Sequence, residues 1–188
     1  MNETKQALRT RKYITSALME LMIEKDFEEI SVTDICEQAT ITRATFYKYF
    51  EDKYHLAQCA LLEMKEKIFD KELENFKYNN PKELYLRIVE ICIDFVNSNQ
   101  KRFVQFVKHS FGDKLRIMIL QTINDFIENL TKPQEKNFKY KIPVEVISKF
   151  ITGGLAYFLL YTIENNKNYS KQEMLKWADE ILSNMIIC

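Results

Sequence analysis

The sequence predicts an all-α protein. Gly and Pro are scarce, with three of each in 188 residues, whereas hairpins, sandwiches and nucleotide-binding loops require these residues at their turns. Apolar residues also recur at helical spacing in several long segments. A chain of this length can bury a sizeable core, as one domain or as two small ones.

The first helix is predicted over about residues 5–25, where apolar side chains recur with the period of an amphipathic α-helix. These side chains are Ile14, Ala17, Leu18 and Leu21. A short second helix is predicted next, because Ser31 can cap it and the side chain of Asp34, at the third helical position, can bond back to Ser31. This pair is a capping box with Asp in place of Glu. The inner face of this helix comprises Val32, Ile35, Cys36 and Ala39.

A third helix is predicted from Arg43 to about Phe50, after the interruption Thr40-Ile41-Thr42. Phe46 shares one face of it with Phe50 and would anchor it to the first two helices. The opposite face carries Arg43, Ala44, Tyr47 and Lys48. Two short helices joined by such a turn are typical of a helix-turn-helix. Cationic, aromatic and hydroxyl side chains bind phosphate oxygens and base edges.

A long fourth helix is predicted to reach about Phe76, with an apolar stripe at Ala57, Ala60, Leu61, Met64 and Ile68. Asn79-Asn80-Pro81 forms the clearest break. Further helices are predicted at about 81–97, 100–111, 113–130, 143–166 and 171–187, and the segment 131–141 is the candidate for a long loop.

The composition gives no indication of catalysis. Lys plus Arg equal Asp plus Glu at 27 each, and the four Cys and two His are scattered without metal-ligand spacing. We therefore predict no catalytic residues, no metal, no cofactor and no enzymatic activity. The N-terminus is polar, and the longest apolar run, Leu155 to Tyr161, is too short for a membrane span. We predict a cytoplasmic protein that does not enter a membrane.

The order of residues in the N-terminal part resembles the DNA-binding segment of TetR/AcrR-family transcriptional regulators. The matching marks are Ile35, Ala39, Ile41, Thr42, Thr45, Tyr47, Phe50, Lys53 and Leu56. The resemblance covers residues 5 to 60 and implies a helix-turn-helix domain at 1–53 followed by a helical ligand-binding and dimerisation domain at 54–188. It implies that the DNA backbone is held by Thr42, Thr45, Tyr47 and Lys53. It further implies that Arg43, Ala44 and Lys48 face the bases, with Thr33 as an additional contact.

One feature of this segment differs from the family's usual pattern. The family commonly has Gly in the turn where this chain has Thr40, and a β-branched residue at positive φ is costly. Either the turn adopts another backbone conformation or it stores strain.

Residues 1 to 53 are also slightly acidic overall, so DNA binding depends on where the basic side chains are placed. Arg9, Arg11 and Lys12, expected near the start of the first helix, would contact phosphate or the minor groove, or else form a solvated helix face.

The C-terminal part is rich in aromatic residues. A ligand pocket between its helices is one interpretation, and ordinary helix-bundle core is the other. The predicted ligand-binding residues are Phe103, Phe106, Phe126, Phe150, Gly154, Tyr157 and Tyr161. The helices 143–166 and 171–187 resemble those through which members of the family dimerise; the alternative is packing within one chain.

These observations predict a ligand-responsive, homodimeric repressor. It would bind a palindromic double-stranded operator and be released by a small apolar or aromatic effector. The alternative is a helix-turn-helix protein that acts as a co-activator or architectural protein through protein partners, without an inducer.

Overall fold

The computed structural model describes residues 4–101, 103–105, 113–138, 140–164 and 169–185, which contain helices and no strands. The all-α prediction is confirmed. The chain divides into two compact units: Met1–Met64 with Lys101–Met118, and Lys65–Gln100 with Ile119–Cys188. The domain boundary predicted at residue 53 stays a prediction.

The first unit contains the three predicted N-terminal helices. They are α1 (Lys5–Glu24), α2 (Val32–Gln38) and α3 (Arg43–Tyr49), with a 3-10 turn at Phe27–Glu29 between the first two. Helix α4 (Lys53–Lys65) follows. The largest side chains that are no more than 1% exposed in this unit are Phe27, Phe46, Phe50, Ile14, Leu18, Ile30, Ile35, Leu56 and Leu115. All four α-helices contribute to one core.

The predicted long fourth helix is present from residue 53 to residue 73, but it is not a regular α-helix throughout. After α4 the backbone forms a π-helical stretch at Glu66–Asp70 and the short α5 (Lys71–Leu73), and the helical path ends there rather than at Phe76. π-helical turns accommodate extra residues within an α-helix. The period of the apolar stripe does not reveal this change, because the stripe continues to Ile68.

The second unit is built mainly on α6 (Pro81–Ser98), α7 (Asp113–Thr131), α8 (Val144–Glu164) and α9 (Lys171–Met185), and α7 begins in the first unit. Asn80 caps α6, its side chain accepting a hydrogen bond from the Glu83 N–H at 3.1 Å. The core of the unit consists of Phe69, Leu84, Tyr85, Ile88, Ile91, Ile127, Ile147, Ile151 and Leu182.

Two further predictions concern connections. Of the predicted helix at 100–111, residues 100, 101 and 103–105 are helical, and the remainder lies outside the described residues. The segment 131–141, predicted as a loop, contains a 3-10 helix at Lys132–Lys136. Pro133 fits its first turn, where a missing N–H costs nothing.

One described helix, α8, has a stretch long and apolar enough to cross a membrane by length and composition. The stretch is Val144–Thr162, with a mean hydropathy of 1.3. A single such helix is weak evidence for a membrane span, because core helices of soluble proteins share this composition.

Candidate nucleic-acid interface

The capping box predicted for α2 is present. The Asp34 N–H donates to the Ser31 hydroxyl at 3.1 Å, and the Asp34 carboxylate accepts from the Ser31 N–H at 2.7 Å and from its hydroxyl at 2.7 Å. Lys25 Nζ lies 3.0 Å from the other carboxylate oxygen. The hydroxyl of Ser31, its N–H and then Lys25 lower the pKa of Asp34 to about 2. The charged carboxylate therefore fixes the start of α2.

We expect this carboxylate to make the first unit sensitive to acid. The pKa of Asp34 falls from 3.8 in the unfolded chain to about 2 in the folded one. Its stabilising contribution is therefore complete above pH 3.8 and is lost as the pH falls towards 2. Because about a third of this side chain is exposed, Asp34→Asn should lower the free energy of unfolding by about 1 kcal/mol at pH 7.

Denaturant unfolding at several pH values measures this effect. The difference between wild type and Asp34→Asn should shrink from pH 4 to pH 2.5. Glu37→Gln removes an exposed carboxylate from the same helix and should change stability little at either pH. A difference between wild type and Asp34→Asn that is independent of pH would rule out a role for the charge.

The turn between α2 and α3 keeps the left-handed backbone. Thr40 has φ of 54°. The Thr40 N–H donates to the Glu37 carbonyl at 3.1 Å, and the Ile41 N–H donates to the Cys36 carbonyl at 2.9 Å. This pattern is a Schellman motif, in which the left-handed position is usually Gly. Of the two predicted alternatives, the structure shows strain at Thr40 and not a different backbone.

Relieving this strain should stabilise the first unit. A left-handed conformation costs a residue with a Cβ about 1 to 2 kcal/mol, which Gly would not pay. The greater freedom of Gly in the unfolded chain offsets part of this gain in stability. We expect Thr40→Gly to raise the free energy of unfolding by about 1 kcal/mol, measured by urea denaturation. Thr40→Ala keeps the Cβ and should gain less. A destabilised Thr40→Gly variant would show that the Thr40 side chain makes a favourable contact.

Helix α3 presents the predicted polar face to solvent. Phe46 and Phe50 are 0% and 1% exposed, with ring centroids 5.8 Å apart, and they anchor the helix as predicted. Tyr47 is 51% exposed. The other exposed side chains of this face are Arg43, Ala44 and Lys48. Their spacing places all four on one side of the helix.

The hydroxyls at the start of α3 serve as caps. The Thr42 hydroxyl accepts from the Thr45 N–H at 3.1 Å and lies 3.0 Å from the Thr45 hydroxyl. Both residues retain lone pairs or a donor for a further partner. Their contact with the DNA backbone stays a prediction, as does that of Thr33, which is exposed on α2.

Lys53 has a role that the sequence did not indicate. Its ammonium group donates to the carbonyls of Phe27 and Glu28 at 2.9 Å each and of Ile30 at 3.0 Å. An ammonium has three N–H groups, so these carbonyls can use all of them. Burial lowers the pKa of Lys53, against the opposing effect of Glu28. The DNA contact inferred for Lys53 stays a prediction, and the geometry makes this side chain a link between α4 and the 3-10 turn.

The basic residues near the N-terminus lie within α1, which begins at Lys5 as predicted. Arg9 donates from Nε to the Tyr13 hydroxyl at 3.0 Å. The guanidinium of Arg11 lies 5.4 Å from the centre of the Phe50 ring. Lys12 is exposed. Both arginines therefore have aromatic neighbours, and Lys12 lies on a solvated helix face.

The predicted ligand-binding residues that the structure describes in the second unit differ widely in burial. Phe126 packs on Phe69 with ring centroids 4.6 Å apart. By contrast, Phe150 and Tyr157 are 71% and 74% exposed on α8. Phe103 is half-buried and belongs to the first unit. Phe106 lies outside the described residues.

The exposed aromatics instead lie on apolar faces of α8 and α9, which together we call the α8/α9 surface. Its residues are Val146, Phe150, Gly153, Gly154, Tyr157 and Tyr161 on α8, with Trp177 and Ile181 on α9. A Cβ added at Gly153 or Gly154 would meet no atom within 4 Å. Close approach by this chain therefore does not explain either glycine.

A metal centre has no support in the part of the chain that the structure describes. No group of three or more His, Cys, Asp or Glu side chains there could hold an ion. Cys36 is buried, and burial raises the pKa of its thiol. The exposed face of α3 remains the best-formed candidate interface of the first unit.

The N-terminal helices match a known family. Residues 14–59 match the model of bacterial regulatory proteins of the tetR family. The fold also matches a crystal structure from Shewanella sp. PV-4 assigned to tetR-family transcription regulators, with TM-score 0.71, 14% identity and coverage of 95% of this chain and 99% of that chain. The N-terminal segment of the chain is therefore of the tetR-family type.

Other similar proteins are also transcriptional regulators. The transcriptional regulator FadR of Bacillus subtilis, solved with stearoyl-CoA, matches with TM-score 0.65, 16% identity and coverage of 94% of this chain and 99% of that one. At such identities the likeness establishes the fold alone. The dhaKLM operon activator DhaS of Lactococcus lactis is 40% identical over 52 residues, which are 28% of each chain. Matches to the curated relatives span only 14% to 28% of their lengths.

Proposed function

We propose that this chain is a sequence-specific DNA-binding transcriptional regulator of the TetR family. The observation that carries the proposal is the face formed by Arg43, Ala44, Tyr47 and Lys48, exposed on a short helix that Phe46 and Phe50 fix to the core. Arg and Lys donate to guanine acceptors in the major groove, and Tyr donates to phosphate. The other residues of α3 serve to pack the helix on the core or to cap it.

The proposed active form is a homodimer joined through the α8/α9 surface. Large contiguous apolar patches on a soluble chain mark sites of association, and open glycines allow a second helix to approach closely. Two copies related by two-fold symmetry would bind a palindromic duplex, with recognition helices about 34–36 Å apart for adjacent major grooves. The proposed location is the cytoplasm.

We further propose repression relieved by a small, largely apolar effector bound in the second unit. Occupancy of a promoter suffices for repression, whereas activation requires an additional contact with the transcription machinery. An effector can release DNA only by binding the non-binding state more tightly. The stearoyl-CoA complex of FadR is a structural precedent for small-molecule binding on this fold.

Substitutions on α3 test the DNA-binding proposal. Tyr47→Ala removes a proposed phosphate contact and should weaken binding to all duplexes by a similar factor. Arg43→Ala should cost about 1 to 3 kcal/mol and relax the preference at one base pair of each half-site. Fluorescence anisotropy with a selected duplex and its single-base variants measures both effects.

Conservative replacements separate these roles. Tyr47→Phe keeps the ring and isolates the hydroxyl, while Arg43→Lys keeps the charge but loses the planar donor pair. Lys176→Ala changes an exposed residue of α9 and should leave DNA affinity unchanged. Equal affinities for wild type, Tyr47→Ala and Arg43→Ala would remove α3 as the DNA-binding surface.

A further inference from the structure

The core of the second unit contains a set of buried hydroxyl groups. Tyr85 and Ser148 are 0% exposed, and Thr152 is 4% exposed. Tyr140 is half-buried with an inaccessible oxygen. The hydroxyl oxygens of these four residues have no hydrogen-bond partner within the described structure. Unpaired buried hydroxyls are unfavourable, so four in one small unit call for a partner that the described part of the chain does not supply.

These hydroxyls occupy neighbouring positions. Ser148 and Thr152 lie one turn apart on the same side of α8. The side chain of Tyr85, from α6, belongs to the apolar core cluster, and Tyr140 packs against that cluster. Burial raises the pKa of Tyr85, and the hydroxyls of Thr131 and Ser148, which lie close enough to interact with the phenol, lower it by less. We call Tyr85, Tyr140, Ser148 and Thr152 the hydroxyl cluster.

The burial of the cluster indicates the class of its partner. Burial is the main cause that raises the pKa of Tyr85 and of Tyr140, and Glu135 adds a smaller effect on each. An anion placed among these hydroxyls would lose its hydration in the same way, which is costly. The surrounding core is aliphatic, comprising Leu84, Ile88, Ile91, Ile127, Ile147 and Ile151. This environment suits an uncharged polar group attached to an apolar body.

Tyr140 belongs both to the hydroxyl cluster and to a groove that opens to solvent. This side chain lines an open groove of about 620 Å³, together with residues 135–138 and 141–143. Its oxygen is inaccessible, so the same residue joins the groove to the buried hydroxyls. A ligand that displaces the Tyr140 ring would place its polar end among them.

We infer that the hydroxyl cluster binds the polar end of an uncharged, otherwise apolar ligand, such as an alcohol or a ketone. The inference rests on the proposed effector function and adds its site and chemical class. It differs from the anionic ligand of FadR. An ordered water that satisfies the hydroxyls permanently is the competing explanation, and the experiment distinguishes the two.

The test uses two probes of equal chain length, 1-octanol and octanoate, titrated into the full chain by calorimetry at pH 8. We expect 1-octanol to bind at least tenfold more tightly than octanoate. Tyr85→Phe and Ser148→Ala should each weaken 1-octanol binding about five- to tenfold, the range for one hydrogen bond. Ser98→Ala, at an exposed position of α6, should leave binding unchanged.

Stability of the ligand-free variants supplies a second readout. Removing an unpaired hydroxyl should leave the melting temperature of Tyr85→Phe equal to or above that of wild type, whereas loss of a bond to a resident water should lower it. A lowered melting temperature, tighter binding of octanoate, or no binding of 1-octanol at millimolar concentration would each overturn the inference.

Operator affinity separates this inference from the proposed function. If 1-octanol binds through Tyr85 and Ser148 but the affinity for DNA stays constant, the hydroxyl cluster is a ligand site. The proposal that an effector releases the chain from DNA is then wrong. If the chain binds no DNA at all, the proposed regulator function fails while the binding titrations still decide the site.

Discussion

Lys53→Met is expected to lower the free energy of unfolding of the first unit by about 3 kcal/mol. The substitution keeps most of the apolar stem but removes the donors to the carbonyls of Phe27, Glu28 and Ile30. The Lys53 side chain is 15% exposed, so water replaces these donors only in part. Hydrogen bonds from a charged donor contribute about 1.5–3 kcal/mol each when well buried, and residual solvent access reduces their sum. Urea unfolding monitored by circular dichroism measures the loss.

The matched control is Lys48→Met, which removes the same charge from an exposed position of α3 and should change stability by less than about 0.5 kcal/mol. The salt dependence of DNA binding gives an independent reading at a temperature where both variants remain folded. Loss of a phosphate contact reduces the slope of log K against log salt by about one. Unchanged stability with a reduced slope in Lys53→Met would show that Lys53 binds DNA rather than the carbonyls.

Ile181→Asp is expected to abolish the homodimer at micromolar concentration. Ile181 is 60% exposed in the single chain and lies at the centre of the proposed contact on α9. Burying an unpaired carboxylate in an apolar interface costs several kcal/mol, which corresponds to a loss of at least a hundredfold in dimer affinity. Analytical ultracentrifugation of wild type and variant measures this change, and the folded monomer should retain its helical circular dichroism spectrum.

Gln172→Asp provides the control for this variant. It adds the same charge at an exposed position about 180° around the same helix, and it should leave the dimer intact. A monomeric wild-type protein at micromolar concentration would contradict the proposed interface, as would an Ile181→Asp variant that remains dimeric.

Local sequence signals were sufficient to predict the helix-turn-helix. The Ser31 and Asp34 pair and the spacing of Phe46 and Phe50 involve residues within one or two turns, so their geometry follows from helical periodicity. Lys53 shows where this reasoning ends. Its carbonyl partners lie 23 to 26 positions earlier in the chain, and backbone carbonyls carry no residue-specific signal.

The second unit was less accessible to sequence analysis for a different reason. The pattern of α8 shows that the helix is apolar nearly all round, but it does not show which side this chain covers. Phe150 and Tyr157 were therefore assigned to a ligand pocket, whereas the structure leaves them on the surface. The hydroxyl cluster was missed because Ser148 and Thr152 are unremarkable in a helix until their burial is known.

Selection of bound duplexes from a random pool tests the proposed DNA-reading role of α3 most directly. The full chain and Arg43→Ala are each carried through the same selection, and the enriched sequences are compared. We predict that wild type enriches a two-fold symmetric site, and that Arg43→Ala loses preference at one base pair in each half-site while keeping the remainder. The absence of any enriched site, or identical enriched sites for the two proteins, would contradict the assignment of this surface.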